Sequence, residues 1–167
     1  MKIAVTGKPG IGKTTLCLKV YQKLKDKIEV DGFITKEVRD RGIRIGFKIV
    51  DLKSGEEFWL AKVGIGKVKV GKYVVFVENV DRFADKIREF KGDLIIVDEV
   101  GPMELKSERF IEAVNELVDS RENLLFTVHY KSKHWLVEKI RKNFKLYVLN
   151  EENRNKIADE IADAYDL

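Results

Sequence analysis

The sequence predicts an α/β fold in three layers, in which helices cover both faces of a mixed, mainly parallel central sheet. Toward both ends of the chain, short apolar runs alternate with helical stripes, the pattern of a parallel sheet packed between helices. At about residues 30–79, β-branched and aromatic residues dominate and turn-like tetrapeptides intervene, which favours an antiparallel insert. A length of 167 residues suits a single domain over residues 1–167.

The first predicted elements are a strand and a helix. KIAVT is typical of a buried strand, and Leu16, Val20 and Leu24 then recur every four residues, so we expect a helix that begins at Thr15 and Leu16. The insert should contain the strands VDGFITKEV, IRIGFKIVD, EEFWLA and YVVFVE, with hairpin turns at RDRG and KSGE. The Gly/Lys-rich residues 63–72 favour a mobile loop.

Strands and helices alternate again after the insert. Phe83, Ile87 and Phe90 mark a helix over residues 81–90, which Gly92 should end. The remaining predicted elements are the strand LIIVD, a helix at 110–118, the strand NLLFTV, a helix at 135–142, the strand KLYVL and a last helix striped by Ile157, Ile161 and Tyr165.

One motif near the start of the chain indicates phosphate binding. Gly7, Gly12, Lys13 and Thr14 match G-x-x-x-x-G-K-[ST], the P-loop pattern. Glycines let backbone N–H groups approach phosphate oxygens, Lys13 brings positive charge to the β- and γ-phosphates, and the Thr14 hydroxyl can ligate Mg²⁺. A strand before the motif and a helix after it complete the required context. The sequence therefore predicts the fold of P-loop NTPases, with a nucleoside triphosphate bound at this loop.

A second motif, LIIVDEVGPMEL, indicates what happens to the bound nucleotide. Asp98 ends an apolar strand, as the Walker B carboxylate that supports Mg²⁺ beside Thr14 does. Glu99 follows it and can orient or deprotonate a water for in-line attack on the γ-phosphate, which favours hydrolysis. The loop also resembles the deviant P-loop of dimeric partition and arsenite-pump ATPases, with Lys8 at the position of their first lysine. Pro9 departs from that pattern, so we expect Lys8 to be an ordinary loop lysine.

Residues near the end of the chain add further candidates. If the strand after LIIVD lies between it and the first strand, Thr127 or His129 could sense the γ-phosphate by hydrogen bonding. Residues 131–145 contain six Lys/Arg and one Glu. This basic segment could be a solvated helix face, a cationic flap over the triphosphate or a nucleic-acid-binding patch. Lys131 or Lys133 could neutralise developing charge, as an arginine finger does.

Composition excludes several classes of protein. No run approaches the roughly 20 apolar residues of a membrane span, and the first apolar run ends too early for a signal peptide. One cysteine, Cys17, excludes an internal disulfide and favours a reducing, cytoplasmic location. Two histidines and one cysteine offer no zinc site. Scarce glutamine beside abundant charged residues favours a thermophilic source.

The motifs together resemble one family. MKIAVTGKPGIGKTTL, GFITKEVR, GFKIVDL, VDEVGPMEL and LNEENRN occur in the order found in the THEP1 family of nucleoside-triphosphatases, over nearly the whole chain. The resemblance implies slow, Mg²⁺-dependent hydrolysis of NTP to NDP and phosphate with broad base selectivity, and Glu99 as the catalytic carboxylate. The nucleotide-binding segments that it implies are Gly7, Lys8, Pro9, Gly10, Ile11, Gly12, Lys13, Thr14 and the adjacent Thr15, then Leu94, Ile95, Ile96, Val97, Asp98, Glu99, Val100 and Gly101.

The same resemblance suggests a base site. The tripeptide ENR at residues 152–154 is similar to the family's PENR, so Asn153 is a candidate base contact and Arg154 a candidate stacking partner. An equally good interpretation is that both are only polar residues at the start of the last helix. The chain departs from the family at HWL, where HPL is frequent, and at Glu151, which stands in place of the proline.

Two other functions stay open at this point. A kinase could pass the γ-phosphate to a nucleotide or nucleic-acid end, which requires an acceptor pocket that the sequence does not identify. A nucleotide-gated RNA-binding or signalling module could use residues 131–145 as its contact surface for an RNA or protein partner. We expect a monomer in each case.

Overall fold

The computed structural model describes residues 1–166. The strands in this part of the chain are β1 (Lys2–Thr6), β2 (Val30–Asp40), β3 (Ile43–Asp51), β4 (Glu57–Val63), β5 (Lys69–Val70), β6 (Tyr73–Val75), β7 (Leu94–Val100), β8 (Leu124–Val128) and β9 (Lys145–Val148). The α-helices are α1 (Lys13–Leu24), α2 (Val77–Glu89), α3 (Glu108–Asp119), α4 (Trp135–Asn143) and α5 (Arg154–Tyr165), and a short 3₁₀ helix covers Glu104–Lys106.

The strands form one mixed sheet in the order β5-β6-β4-β3-β2-β7-β8-β1-β9. β8 pairs in parallel with β1 and β7, β9 in parallel with β1, and β2 in parallel with β7. The strands from β3 to β6 continue the sheet beyond β2 with antiparallel pairing. The predicted mixed α/β sheet with antiparallel strands is therefore confirmed.

Helices cover both faces of the sheet. Successive side chains of a strand point to opposite faces, so Leu94 and Ile96 of β7 pack under α1 and α5, whereas Ile95 and Val97 pack under α2, α3 and α4. All four side chains are fully buried. The result is a three-layer sandwich that holds β7 rigidly at its centre.

The structure corrects the predicted end of the insert. YVVFVE remains a strand only to Val75, and α2 begins at Val77 rather than at residue 81. The carbonyl oxygen of Phe76 accepts hydrogen bonds from the backbone N–H of Asn79 and Val80, which starts the helix while its β-branched residues still suggest a strand. Residues 63–72, predicted to be a mobile loop, contain β5, and the Val75 N–H donates to the carbonyl of Val68.

Two other boundaries also move. The antiparallel region was expected to begin at about residue 30, but β2 is parallel to β7 over Val30–Phe33 and antiparallel to β3 only from Phe33 onward. The helix expected from Thr15 begins at Lys13. Among the helices within residues 1–166, none combines the length and the apolar character that crossing a bilayer requires.

The topology brings the carboxyl ends of three parallel strands together. β8 lies between β1 and β7, as expected for the strand that follows the Walker B motif. In open α/β sheets, ligands bind outside the carboxyl ends of such strands. The loop after β1, the acidic end of β7 and the end of β8 therefore line one edge of the sheet.

Candidate active site

The loop between β1 and α1 has the backbone that phosphate binding requires. Gly7 and Gly12 have φ angles of +153° and +110°, a backbone region that residues with a Cβ rarely adopt. A Cβ on Gly7 would lie 2.9 Å from Cγ2 of Ile11 and 3.0 Å from the carbonyl oxygen of Leu149. Gly12 caps α1, so the first N–H groups of the helix, from Lys13 onward, face the loop without partners in the helix.

Lys13 connects this loop to the end of β7. Its Nζ donates to the carbonyl oxygen of Gly7 at 2.9 Å and lies 3.8 Å from Oε2 of Glu99. Its side chain is only 11% exposed, so the ammonium has few alternatives to these partners and to a bound anion. The structure thus brings together the two residues predicted to be catalytic.

Asp98 is buried within a network of threonines. Oδ1 accepts a hydrogen bond from the hydroxyl of Thr127 at 2.6 Å, and Oδ2 accepts one from the hydroxyl of Thr14 at 2.7 Å. The backbone N–H of Thr35 lies 3.3 Å from Oδ2, and the Thr35 hydroxyl donates to the backbone carbonyl of Asp98 at 2.8 Å. Thr14 and Asp98, the two residues predicted to support Mg²⁺, are thus joined by a direct hydrogen bond; their role as metal ligands stays a prediction.

Burial raises the pKa of Asp98 above its ordinary value. The hydrogen bonds donated by Thr127, Thr14 and Thr35, and the charge of Lys13, act in the opposite direction. The ionised carboxylate therefore depends on these donors, since Asp98 is only 1% exposed.

The two glutamates of this region have raised pKa values. Burial raises the pKa of Glu99, and the charge of Lys13 opposes that shift. Glu104, in the 3₁₀ helix, is 2% exposed, and burial together with the nearby Glu99 raises its pKa well above the usual range. A carboxylate with a raised pKa accepts a proton more readily at neutral pH, which suits Glu99 to base catalysis.

The oxygen atoms around Asp98 fit Mg²⁺. Thr14 and Asp98 supply a hydroxyl and a carboxylate oxygen 2.7 Å apart, and small hard cations prefer oxygen donors. Mg²⁺ in phosphoryl-transfer sites takes its remaining ligands from water and the nucleotide phosphates. The chain therefore needs to offer no further metal ligand.

The other predicted site residues fall into two groups. Lys8, Pro9, Gly10 and Thr15 are exposed on the loop and on the first turn of α1, with Ile11 half-buried beside them. Leu94, Ile95, Ile96, Val97 and Val100 have no exposed surface, and Gly101 is buried. The five residues of β7 in this group support Asp98 and Glu99 from within the sheet, and their side chains offer no surface that a nucleotide could contact.

The residues at the end of β8 differ in how their side chains are used. The Thr127 hydroxyl is already occupied by Asp98, so its predicted role as a γ-phosphate sensor is replaced by one in holding that carboxylate. His129 lies next to β7, where its N–H donates to the Val100 carbonyl at 3.2 Å. Burial, and then the charges of Lys13 and Arg141, lower the pKa of His129. Its role as a sensor stays a prediction.

The two residues predicted to contact the nucleobase lie beside the P-loop. Arg154 Nη1 donates to the carbonyl oxygen of Ile11 at 3.2 Å. The Asn153 side chain instead closes a turn, because Oδ1 accepts from the Asn150 N–H and Nδ2 donates to the Val148 carbonyl. Arg154 therefore contacts the P-loop directly, whereas the Asn153 side chain bonds to Asn150 and Val148.

Three residues of this region were missed by the sequence analysis. Thr35 was missed because its closeness to Asp98 follows from the pairing of β2 with β7, and Glu104 because nothing local distinguishes it from a surface glutamate. Arg141, within the basic segment, donates to the carbonyl oxygens of Ser132, His129 and Tyr130 at 2.6, 2.9 and 3.0 Å. It holds the loop after β8 in place.

Comparisons with known proteins identify relatives of this chain. A family model described as NTPase matches residues 2–162. The nucleoside-triphosphatase THEP1 of Archaeoglobus fulgidus is 62% identical over 161 residues, covering 96% of each chain. The protein of the same description from Methanocaldococcus jannaschii is 50% identical over 165 residues, which cover 96% of this chain and 95% of its own.

Two solved structures have the same architecture. The crystal structure of THEP1 from Aquifex aeolicus superposes with a TM-score of 0.83 at 32% identity, covering 100% of both chains. The solution structure of a human cancer-related nucleoside triphosphatase gives a TM-score of 0.83 at 35% identity, over 98% of this chain and 96% of its own.

Proposed function

Because the chain belongs to the THEP1 family of nucleoside-triphosphatases and is an NTP hydrolase, we propose that it cleaves ATP, GTP and other nucleoside triphosphates to the diphosphate and phosphate, with Mg²⁺ and with broad base selectivity. The observation that carries this proposal is the meeting of four residues at one edge of the sheet. Thr14 bonds to Asp98 at 2.7 Å, and Lys13 lies 3.8 Å from Glu99.

The proposed reaction is an in-line displacement by water. The glycine-rich loop and the start of α1 bind the phosphates through backbone N–H groups. The oxygen of the attacking water bonds to the γ-phosphorus while Glu99 accepts a proton from that water. At the same time the bond between the γ-phosphorus and the β–γ bridging oxygen breaks. Lys13 leaves the Gly7 carbonyl and stabilises charge on the phosphate oxygens. Thr14 and Asp98 would hold Mg²⁺, which would supply further positive charge at the phosphates.

Broad base selectivity is consistent with how the loop is built. Backbone N–H groups and Lys13 recognise phosphates, which all nucleoside triphosphates share. The Arg154 guanidinium, exposed beside Ile11, is planar and can stack on any base. We therefore assign to Arg154 a stacking role that tolerates purines and pyrimidines alike.

Phosphate release tests the proposal. We expect release from ATP, GTP, CTP and UTP with Mg²⁺ and without any acceptor, and its loss on chelation with EDTA. Lys13→Ala and Glu99→Gln should each lower kcat/KM by about 100-fold or more. Lys25→Ala, an exposed lysine just beyond the other end of α1, is the matched control and should retain wild-type rates.

Three results would contradict these assignments or the predicted arginine finger. Tight binding of nucleotide without release would favour a kinase or a partner-gated switch over an autonomous hydrolase. Loss of activity in Lys8→Ala would favour the deviant, dimeric P-loop. The arginine-finger role of Lys131 or Lys133 is refuted if alanine at both positions leaves kcat unchanged.

A further inference from the structure

A cleft of about 480 Å³ lies next to the candidate active site. Three segments meet there: strand β5 of the β5–β6 hairpin, the region of the 3₁₀ helix, and the loop after β8. This cleft, which we call the lysine cleft, is lined by Lys69, Val70, Pro102, Leu105, Lys106, His129, Lys131, Ser132 and His134. Its volume is in the range of pockets that hold small organic ligands.

The lysine cleft is positively charged. Lys69, Lys106 and Lys131 each come from a different segment, and no carboxylate is among the lining residues. Within residues 1–166, none of these three ammonium groups has a carboxylate oxygen within the 4.0 Å of an ion pair. By contrast, Lys86 of α2 and Lys139 of α4 each pair with an acidic neighbour. Three unpaired cations around one concave surface attract an anion.

The cleft also has an apolar part. Val70, Pro102 and Leu105 contribute aliphatic surface between the lysines. An inorganic ion would leave this surface in contact with water, whereas an organic molecule with an anionic group would cover it. Lysine is a common binder of phosphate because it offers a compact charge with several donors.

One wall of the cleft is preorganised. Arg141 holds the loop after β8 through three carbonyl oxygens, among them those of His129 and Ser132. The Ser132 hydroxyl accepts from the His134 N–H at 3.2 Å, and the imidazole of His134 accepts from the Leu136 N–H at 3.1 Å. Because this loop is already ordered in the fold, binding a ligand to it costs little conformational entropy.

The cleft lies near Glu99, although Glu99 is not one of its lining residues. A Cβ on Gly101 would lie 2.6 Å from Oε1 of Glu99, and Pro102, the next residue, lines the cleft. On the other side, the N–H of His129 bonds to the carbonyl of Val100. Glu99 is therefore near the P-loop, through Lys13, and near the lysine cleft, through Gly101 and Pro102.

We propose that the lysine cleft binds a second ligand, a small organic phosphate, next to Glu99. Its phosphate group contacts Lys69, Lys106 and Lys131, and its organic part covers Val70 and Leu105. The placement beside the γ-phosphate end of the nucleotide rests on the proposed function, whereas the binding of the ligand does not.

The test is calorimetric titration of the full chain saturated with ADP and Mg²⁺, which occupies the P-loop. The probes are ribose 5-phosphate, 3-phosphoglycerate and AMP, with inorganic phosphate and ribose for comparison. We expect at least one organic phosphate to bind with one-to-one stoichiometry, about tenfold more tightly than inorganic phosphate, and ribose not to bind. Lys69→Ala and Lys106→Ala should each weaken that binding about five- to tenfold without changing the affinity for ADP. Lys142→Ala, which removes an exposed lysine of α4 outside the cleft, should have no effect.

Three results would overturn the proposal. None of the three organic phosphates binds to the ADP-saturated chain; inorganic phosphate binds as tightly as they do; or Lys142→Ala weakens binding as much as Lys106→Ala. Phosphate release from ATP, measured on the same preparations, separates the two proposals. Release without ligand binding contradicts only the lysine cleft, and ligand binding without release contradicts only the proposed hydrolysis.

Discussion

Replacing Thr127 by valine should destabilise the fold by about 2 kcal/mol, because it removes a hydrogen bond to a buried carboxylate. Thr127 is fully buried, its hydroxyl lies 2.6 Å from Oδ1 of Asp98, and valine has nearly the same shape. Hydrogen bonds to charged groups contribute about 1.5–3 kcal/mol, and Asp98 keeps its other donors, Thr14 and Thr35.

Thr6 provides a matched control. It is 4% exposed, and its hydroxyl donates to the neutral carbonyl of Val128 at 2.9 Å. Thr6→Val should therefore cost only about 0.5–1.5 kcal/mol. Unfolding by urea or heat, with metal removed by EDTA, measures the difference between the two variants. For a chain of this size, about 2 kcal/mol corresponds to a fall in Tm of about 4–8 °C.

The dependence on pH makes the test specific to Asp98. Burial raises the pKa of Asp98 in the folded state, and loss of the Thr127 donor should raise it further. Below the unfolded pKa of about 3.9 the group is protonated in both states, so Thr127→Val costs least there. The cost should grow as pH rises through the folded pKa and then stay constant. Equal losses for Thr127→Val and Thr6→Val, or a loss for Thr127→Val that does not change with pH, would refute this reasoning.

Three further predictions concern other residues. Glu104→Gln should stabilise the protein at neutral pH. Because the pKa of Glu104 is raised in the folded state, the wild type loses stability as pH rises above about 4.3, and a glutamine removes that loss. Urea unfolding of both proteins at pH 4 and pH 7.5 measures the difference. Arg154→Ala should raise KM for each NTP about five- to tenfold at unchanged kcat and alter stability by less than about 0.5 kcal/mol; a fall in kcat alone would contradict the stacking role. Cys17 is buried and its pKa is raised well above the usual range, so a thiol reagent at pH 8 should label it only after unfolding; rapid labelling of the native protein would contradict its burial in α1.

The active-site motifs were largely predictable from the sequence because their spacing is local. The glycines before Lys13 and Thr14 predicted a loop between a strand and a helix. The apolar run before Asp98 predicted the central strand, although β7 continues past Asp98 to Val100. Helix stripes at a period near four likewise predicted α1 and α3 to α5. The boundary near residue 76 was wrong, since a β-branched and aromatic run has the same composition at the end of a strand and in the first turn of a helix.

Other features depended on pairing between distant segments. Thr35 reaches Asp98 across 63 positions only because β2 lies beside β7, and no local pattern records that choice. The same holds for Thr127, for the burial of Glu104 and for the lysine cleft, whose lysines come from three separate segments. The sequence by itself predicted the residues to which we assign phosphate binding and cleavage, because within each of the two motifs they are neighbours along the chain. The tertiary structure decided which residues hold them and what lies beside them, because strand order and burial follow from the packing of the whole sheet.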